Sequence, residues 1–218
     1  MESTLINYIG NVSSGKTTLR KALGKLDLKI MSNELNDVSS INTNVVNKNI
    51  FIFVLNATSL MSNDEDKLIN NVSKFIAANS IKNDKFFFVI NKLDLFKPKE
   101  DSVKETIERV RLYLKDYGIE NPNIYPASSL TALNIRTILS ENDDDDDDDV
   151  VEAKVKVRKF NRNAEFHFEK YTPLTPSVRG EVEEKLSKAI SEGDVNEQAL
   201  IHSGIVSLKI AIETAKYL

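Results

Sequence analysis

The amino-acid sequence predicts an α/β fold, a mostly parallel sheet with helices on both faces. Three observations carry the prediction. Short apolar runs alternate with helical stripes along the 218 residues. A glycine-bearing loop, Gly10 to Thr17, directly follows the first apolar run, and the tetrapeptide Asn91-Lys92-Leu93-Asp94 directly follows a later one. Loops in those places lie at the carboxyl end of a sheet, where open α/β folds bind ligands.

The elements follow in order. Leu5 to Ile9 reads as a buried strand, and Lys16 to Leu26 as a short helix. Leu28 to Met31 and Ile50 to Leu55 read as the next two strands. Ser62 and Glu65 have the spacing of a capping box, and Leu68, Ile69, Val72, Phe75 and Ile76 give the helix behind it one apolar face. Phe86 to Ile90 has the length of a central strand. Ser102 and Glu105 form a second box. It opens a helix with Val103, Ile107, Val110, Leu114 and Tyr117 on one face, closed by Gly118. Asn123 to Ala127 is a further short strand, followed by Ser128-Ser129-Leu130.

Residues 143–149 are seven consecutive aspartates. Such a run repels itself and reads as a solvated loop, and its unspaced carboxylates lack the geometry of a calcium loop. Val151 to Phe168 mixes basic and aromatic residues and is expected to pair as strands. From Pro176 two helices are expected, the second starting near Asp194 with Glu197 at capping-box spacing, burying Ile201, Ile205, Leu208 and Ile212, with Gly204 bending it. His167 and His202 are isolated in sequence and are assigned structural roles. The division expected is a core over 1–140, an acidic disordered loop over 141–150, and a mainly helical part over 151–218 that completes the domain.

The first loop fits the pattern G-x-x-x-x-G-K-[ST] as Gly10-Asn11-Val12-Ser13-Ser14-Gly15-Lys16-Thr17, with Thr18 next in line. Its glycines let backbone N–H groups converge on an anion, and the helix it opens favours phosphate at its start. Lys16 is expected to face solvent until it reaches for the β- and γ-phosphates, and the Thr17 hydroxyl to ligate Mg²⁺. Lys16 and Thr17 are therefore the candidate catalytic residues. At the second loop, Asp94 can accept both N1–H and N2–H of guanine, a donor pair adenine lacks. Lys92 can lay its stem over the base, while Asn91 braces the loop. A buried polar site of this kind rejects the partner that leaves its groups unpaired. Ser128 and Ser129 stand where a backbone N–H would meet the guanine O6. These residues imply GTP or GDP with Mg²⁺ as the ligand.

Composition narrows the classes. Hydrophobic content of 41% and charged content of 28% are globular values. The sequence contains no cysteine, which excludes disulfides, thiolate catalysis and cysteine-ligated zinc, and suits a reducing cytoplasm. No apolar run is long enough to cross a membrane, and no secretion signal precedes the first strand. A net charge of −4 argues against nucleic acid as the main partner.

The chain resembles the GTPase domain of bacterial dynamin-like proteins over most of its length. The resemblance rests on Gly10 to Thr17, on Val54 to Asp66, on Asn91 to Asp94, on Tyr125-Pro126-Ala127-Ser128-Ser129, and on Ser203-Gly204-Ile205 with the amphipathic helix after it. It implies a G domain that pairs with a second copy or with a dynamin-like partner. Relatives would continue into a helical stalk and a membrane-binding tip, so this chain alone is expected to bind no membrane directly. Against the family's Asp-x-Pro-Gly strand, the resemblance aligns Met31 with the metal-linked Asp and Glu34 with the γ-phosphate-sensing Gly. Leu35-Asn36-Asp37 is retained. Between Thr17 and that strand there is no room for the long switch loop, and Val12 stands where a catalytic Gln often does. Glu34 or Asp37 could approach the metal instead. Two classes follow: a dynamin-like GTPase with slow hydrolysis, or a catalytically degenerate nucleotide-binding module acting by interaction. A nucleotide kinase is disfavoured because no arginine-rich lid is present.

Overall fold

The computed structural model describes residues 4–24, 26, 30–41, 49–97, 100–140 and 148–215. Among them are five strands: β1 Thr4–Ile9, β2 Ile30–Leu35, β3 Ile50–Asn56, β4 Phe86–Asn91 and β5 Asn123–Pro126. They form one all-parallel sheet in the order β2-β1-β3-β4-β5. Helix α1 (Lys16–Leu23) links β1 to β2, α2 (Asn63–Asn79) links β3 to β4, and α3 (Val103–Asp116) links β4 to β5. Because β2 lies on one side of β1 and β3 on the other, right-handed crossovers place α1 on one face and α2 and α3 on the opposite face. The reversal of strand order falls between β1 and β3, and the loop after β1 sits in the crevice it opens.

The central strands are buried at nearly every position, as their uninterrupted apolar runs require. Phe51 of β3 stacks on Phe86 of β4 with centroids 5.6 Å apart. The stripes predicted for α2 and α3 face this core. Ser62 and Ser102 cap those helices, each accepting the N–H of the residue three positions on at 3.3 Å.

Three elements differ from expectation. Strand β2 runs on to Leu35, because its parallel register with β1 continues through Tyr8↔Glu34 and Ile9↔Leu35; Leu28 and Lys29 lie outside the described residues. Strands expected within 151–168 are replaced by helix α5 (Asp148–Arg162) and two 3₁₀ turns, Ala164–Phe166 and Phe168–Tyr171. The helix wins because Val150, Ala153, Val157 and Phe160 fall on one buried face at helical spacing. The last two aspartates of the acidic run belong to this helix, while residues 143–147 lie outside the described residues.

The third difference lies near the C-terminus. After α6 (Pro176–Ser191), the single bent helix expected is two, α7 (Val195–His202) and α8 (Ile205–Ala215). Gly204 divides them at φ 80°. A side chain there would collide with the Pro126 carbonyl oxygen and meet Phe168 Cβ at 3.2 Å. Phe160, Phe166, Phe168, Ile201 and Ile205 join the same apolar cluster as the sheet. Among the described residues no helix is long and apolar enough to cross a membrane.

Candidate functional site

The loop between β1 and α1 is held in an anion-binding shape. Ser13 (φ 63°) and Gly15 (φ 94°) are both left-handed, turning the backbone sharply ahead of the helix. Gly15 is the N-cap of α1 and supplies no side-chain cap, and the first turn contains no acidic residue. The first N–H groups of the helix therefore receive no side-chain acceptor from the cap. Any side chain at Gly15 would collide with the Asn91 amide. That amide donates from Nδ2 to the Ser14 carbonyl at 3.0 Å and accepts the Ser129 N–H on Oδ1 at 3.1 Å. One buried asparagine thus ties the loop after β1, the loop after β4 and the start of helix α4 (Ser129–Ser140).

Lys16 does not face free solvent. Its ammonium donates to the carbonyls of Gly10 (2.6 Å) and Asn11 (2.9 Å) and to Asn36 Oδ1 (3.0 Å). Partial burial lowers its pKa, with the Glu34 charge opposing the shift. A loop whose carbonyls point at a lysine has its amides turned the other way, so this arrangement suits an incoming anion.

Beside Lys16 lies an oxygen pair. The Thr17 hydroxyl donates to Glu34 Oε2 at 2.5 Å, and Arg20 Nε donates to Glu34 Oε1 at 2.8 Å. Desolvation raises the Glu34 pKa, but the hydrogen bonds from Thr17 and Arg20 and the nearby positive charges outweigh it, so the net shift is downward. The carboxylate next to Thr17 is therefore supplied by Glu34, near the end of β2. Met31, aligned by sequence with the metal-linked Asp, sits four positions back from the strand end, opposite Leu5. A hydroxyl and a carboxylate this close are the hard oxygen donors that Mg²⁺ prefers, phosphate and water supplying its other ligands.

After β4, Lys92 adopts a left-handed conformation (φ 68°) that turns the chain into a 3₁₀ turn over Leu93–Leu95. Leu93 N–H reaches the Ala127 carbonyl at 3.4 Å. The Asp94 side chain is 4% exposed. Its Oδ2 lies 3.3 Å from Lys156 Nζ, and its carbonyl accepts from Lys159 Nζ at 2.7 Å. Lys159 also lies 4.1 Å above the Phe166 ring. Desolvation, then the neighbouring Lys156, lowers the Lys159 pKa, with Asp94 opposing. Both lysines come from α5, which the sequence reading assigned to strands; the buried spacing of Val150, Ala153, Val157 and Phe160 was the signal that could have found them.

Ser128 and Ser129 are where expected but are not free to donate. The Ser128 N–H is bound to the Ser203 carbonyl at 3.0 Å and the Ser129 N–H to Asn91 Oδ1. The backbone expected to meet a guanine O6 is already paired at both positions. His167 and His202, isolated in sequence, stack face to face with centroids 3.6 Å apart.

No family model matches the chain, and no curated protein matches it. Among solved structures it is similar to a GTP-binding protein from the hyperthermophilic archaeon Sulfolobus solfataricus in complex with GDP. The identity is 20%, over 63% of this chain and 50% of that one, with a TM-score of 0.39. It is also similar to the translation elongation factor SelB from Methanococcus maripaludis in complex with the GTP analogue GppNHp. There the identity is 17%, over 64% of this chain and 33% of that one, with a TM-score of 0.42. The matched region spans a third to a half of those two chains. Nothing about this chain's activity follows from likeness at that level.

Proposed function

We propose that the chain binds guanine nucleotides as a G domain of the dynamin-like kind, with Gly10 to Thr18 on the phosphates, Lys92 and Asp94 on the base, and Asn91 bracing the loops between them. The observation that carries this reading is the Asn91 bridge. It ties the uncapped, acid-free start of α1 to the loop that carries the buried Asp94 carboxylate. In this reading residues 1–140 form the nucleotide-binding core and 151–218 complete it, with Lys156 and Lys159 holding Asp94 in place.

GTP hydrolysis is expected to be slow. Phosphoryl transfer is catalysed by positioning and charge stabilisation. Mg²⁺, when bound at Thr17 and Glu34, would neutralise charge on the β- and γ-phosphates. The remaining catalytic groups are weak: Val12 is 78% exposed and apolar where a water-positioning side chain is needed. Glu34 is shared between Thr17 and Arg20 and brings negative charge towards the γ-phosphate. Loss of one oriented transition-state contact lowers the rate by about 10²–10³.

The deciding experiment is calorimetric titration of GTP, GDP and ATP, with turnover measured in parallel. GDP and GTP should bind alike, ATP at least about 100-fold more weakly, and phosphate release should be slow without a partner. Asp94→Asn should shift preference from guanine towards xanthine nucleotides, whose extra carbonyl suits an amide donor. Equal affinity for ATP and GTP would sink the base assignment, and rapid turnover would sink the slow-hydrolysis reading.

A further inference from the structure

Outside the crevice, the described residues hold a second concentration of ligating side chains. One nitrogen of His167, one nitrogen of His202 and one carboxylate oxygen of Glu169 all lie within 4.8 Å of one another. Glu169 and His202 are buried, and His167 is half-buried. The cluster sits where the two 3₁₀ turns after α5 meet the end of α7.

The hydrogen bonds leave specific atoms unused. His167 Nε2 lies 3.1 Å from the Phe160 carbonyl, which only accepts, so Nε2 carries the ring proton and Nδ1 of the neutral ring presents a bare lone pair. That Nδ1 is buried without a partner. His202 Nδ1 lies 3.1 Å from Glu169 Oε1, while Glu169 Oε2 is also buried without a partner. Buried polar atoms are usually paired, and these two unpartnered atoms belong to two members of the same cluster. Protonating both imidazoles would set two cations face to face at 3.6 Å.

We propose that His167, Glu169 and His202 form a binding site for a transition-metal dication of the zinc class, seated behind the base-side loop. Two imidazoles and a carboxylate are a zinc-type donor set, and they do not suit Mg²⁺, which takes oxygen ligands. The Phe160 carbonyl supplies the outer hydrogen bond that fixes the His167 tautomer. A water would have to complete the set as fourth ligand. Tetrahedral coordination at about 2.1 Å brings ligand atoms to roughly 3.4 Å apart. Parallel rings cannot both aim a lone pair at one ion, so binding requires at least one imidazole to swing well out of the stack.

A bound ion would clamp the turn carrying Glu169 to the end of α7. The next residue, Ser203, accepts the Ser128 N–H, and Gly204 packs on the Pro126 carbonyl. The ion would thus brace the base-side loop from behind, independently of whether the crevice binds guanine.

The test uses the full chain, freed of metal with a chelator and titrated with Co²⁺ alone, with Mg²⁺ in excess throughout to occupy hard-oxygen sites. One equivalent of Co²⁺ should give visible ligand-field bands that Zn²⁺ displaces, and Zn²⁺ should raise the thermal midpoint. Because His167 is half-buried, His167→Gln is the deciding variant. It should weaken Co²⁺ binding at least about tenfold, and Glu169→Gln should do the same where circular dichroism shows it folded. Thr17→Val should leave the titration unchanged. No saturable band, an unchanged titration in His167→Gln, or loss of binding in Thr17→Val would each overturn the site.

Discussion

Helices α1 and α2 leave neighbouring strands at the same edge of the sheet and begin in opposite ways. At α2, Ser62 caps the Glu65 N–H, the Glu65 carboxylate takes the Met61 N–H at 2.6 Å, and Asp64, Glu65 and Asp66 fill the first turn. A side-chain cap contributes about 1 kcal/mol and each acid near a helix start about 0.3–1 kcal/mol. Helix α1 has neither. Its N-cap is Gly15, its first turn is acid-free, and Lys16 is its first residue. The α2 start satisfies itself, whereas the α1 start does not. Helix α6 also starts without a side-chain cap bond or an acid, so the omission alone is no ligand signature; at α1 it coincides with Lys16 and with the left-handed turn at Ser13 and Gly15.

The sharpest way to break this comparison is Lys16→Ala. If α1 is open for phosphate, calorimetry should show GDP and GTP binding weakened by about 10²–10³, as expected for loss of a charge-assisted contact of about 3–4 kcal/mol. The protein should stay folded but lose some stability, because Lys16 also ties the Gly10 and Asn11 carbonyls. Unchanged GDP binding in a folded variant would make the loop a structural look-alike.

A smaller effect is expected at the base end, where Lys156 serves Asp94 as an internal partner. Lys156→Gln leaves a carboxylate that is 4% exposed without its cation, costing the nucleotide-free protein about 1–3 kcal/mol. Guanine would return two donors to Asp94, so GDP should raise the thermal midpoint more in the variant than in the unaltered protein. An equal GDP-induced rise in both would detach Lys156 from the base site.

What the sequence disclosed and what it hid divide along the same line. The loop from Gly10 to Thr17, the apolar runs of β3 and β4, and the stripes of α2 and α3 are local patterns, and the structure reproduces them. For Glu34 the sequence leaves two roles open, the place of the γ-phosphate-sensing Gly and an approach to the metal; parallel pairing with Ile9 extends β2 as far as Leu35, and the Glu34 carboxylate meets Thr17. The engagement of the Ser128 and Ser129 N–H groups depends on Ser203 and Asn91, acceptors that only tertiary folding brings near. Lysines 156 and 159 are obscured for another reason: their basic, aromatic-rich segment follows an aspartate run, and that composition masks the helical spacing of Val150, Ala153, Val157 and Phe160. The stacking of His167 on His202 has no local signal at all.

The smallest predicted effect sharpens the α2 side of the comparison. Burial raises the Glu65 pKa from 4.5 to about 7, the Met61 N–H opposing the shift and the Asp66 charge adding to it. Between pH 4.5 and 7 the folded protein therefore holds a proton that the unfolded chain has released. The sign follows: Glu65 favours the folded state fully below about pH 4.5, and that contribution is lost as pH rises through about 7. In Glu65→Gln the amide carbonyl can still accept from Met61 without carrying a charge. Relative to the variant, the unaltered protein should lose about 1–2 kcal/mol of stability across that pH range. Urea unfolding of both proteins at pH 5 and pH 8 measures the difference. Parallel pH profiles would show that the Glu65 carboxyl is solvated and that α2 keeps its cap through Ser62 alone.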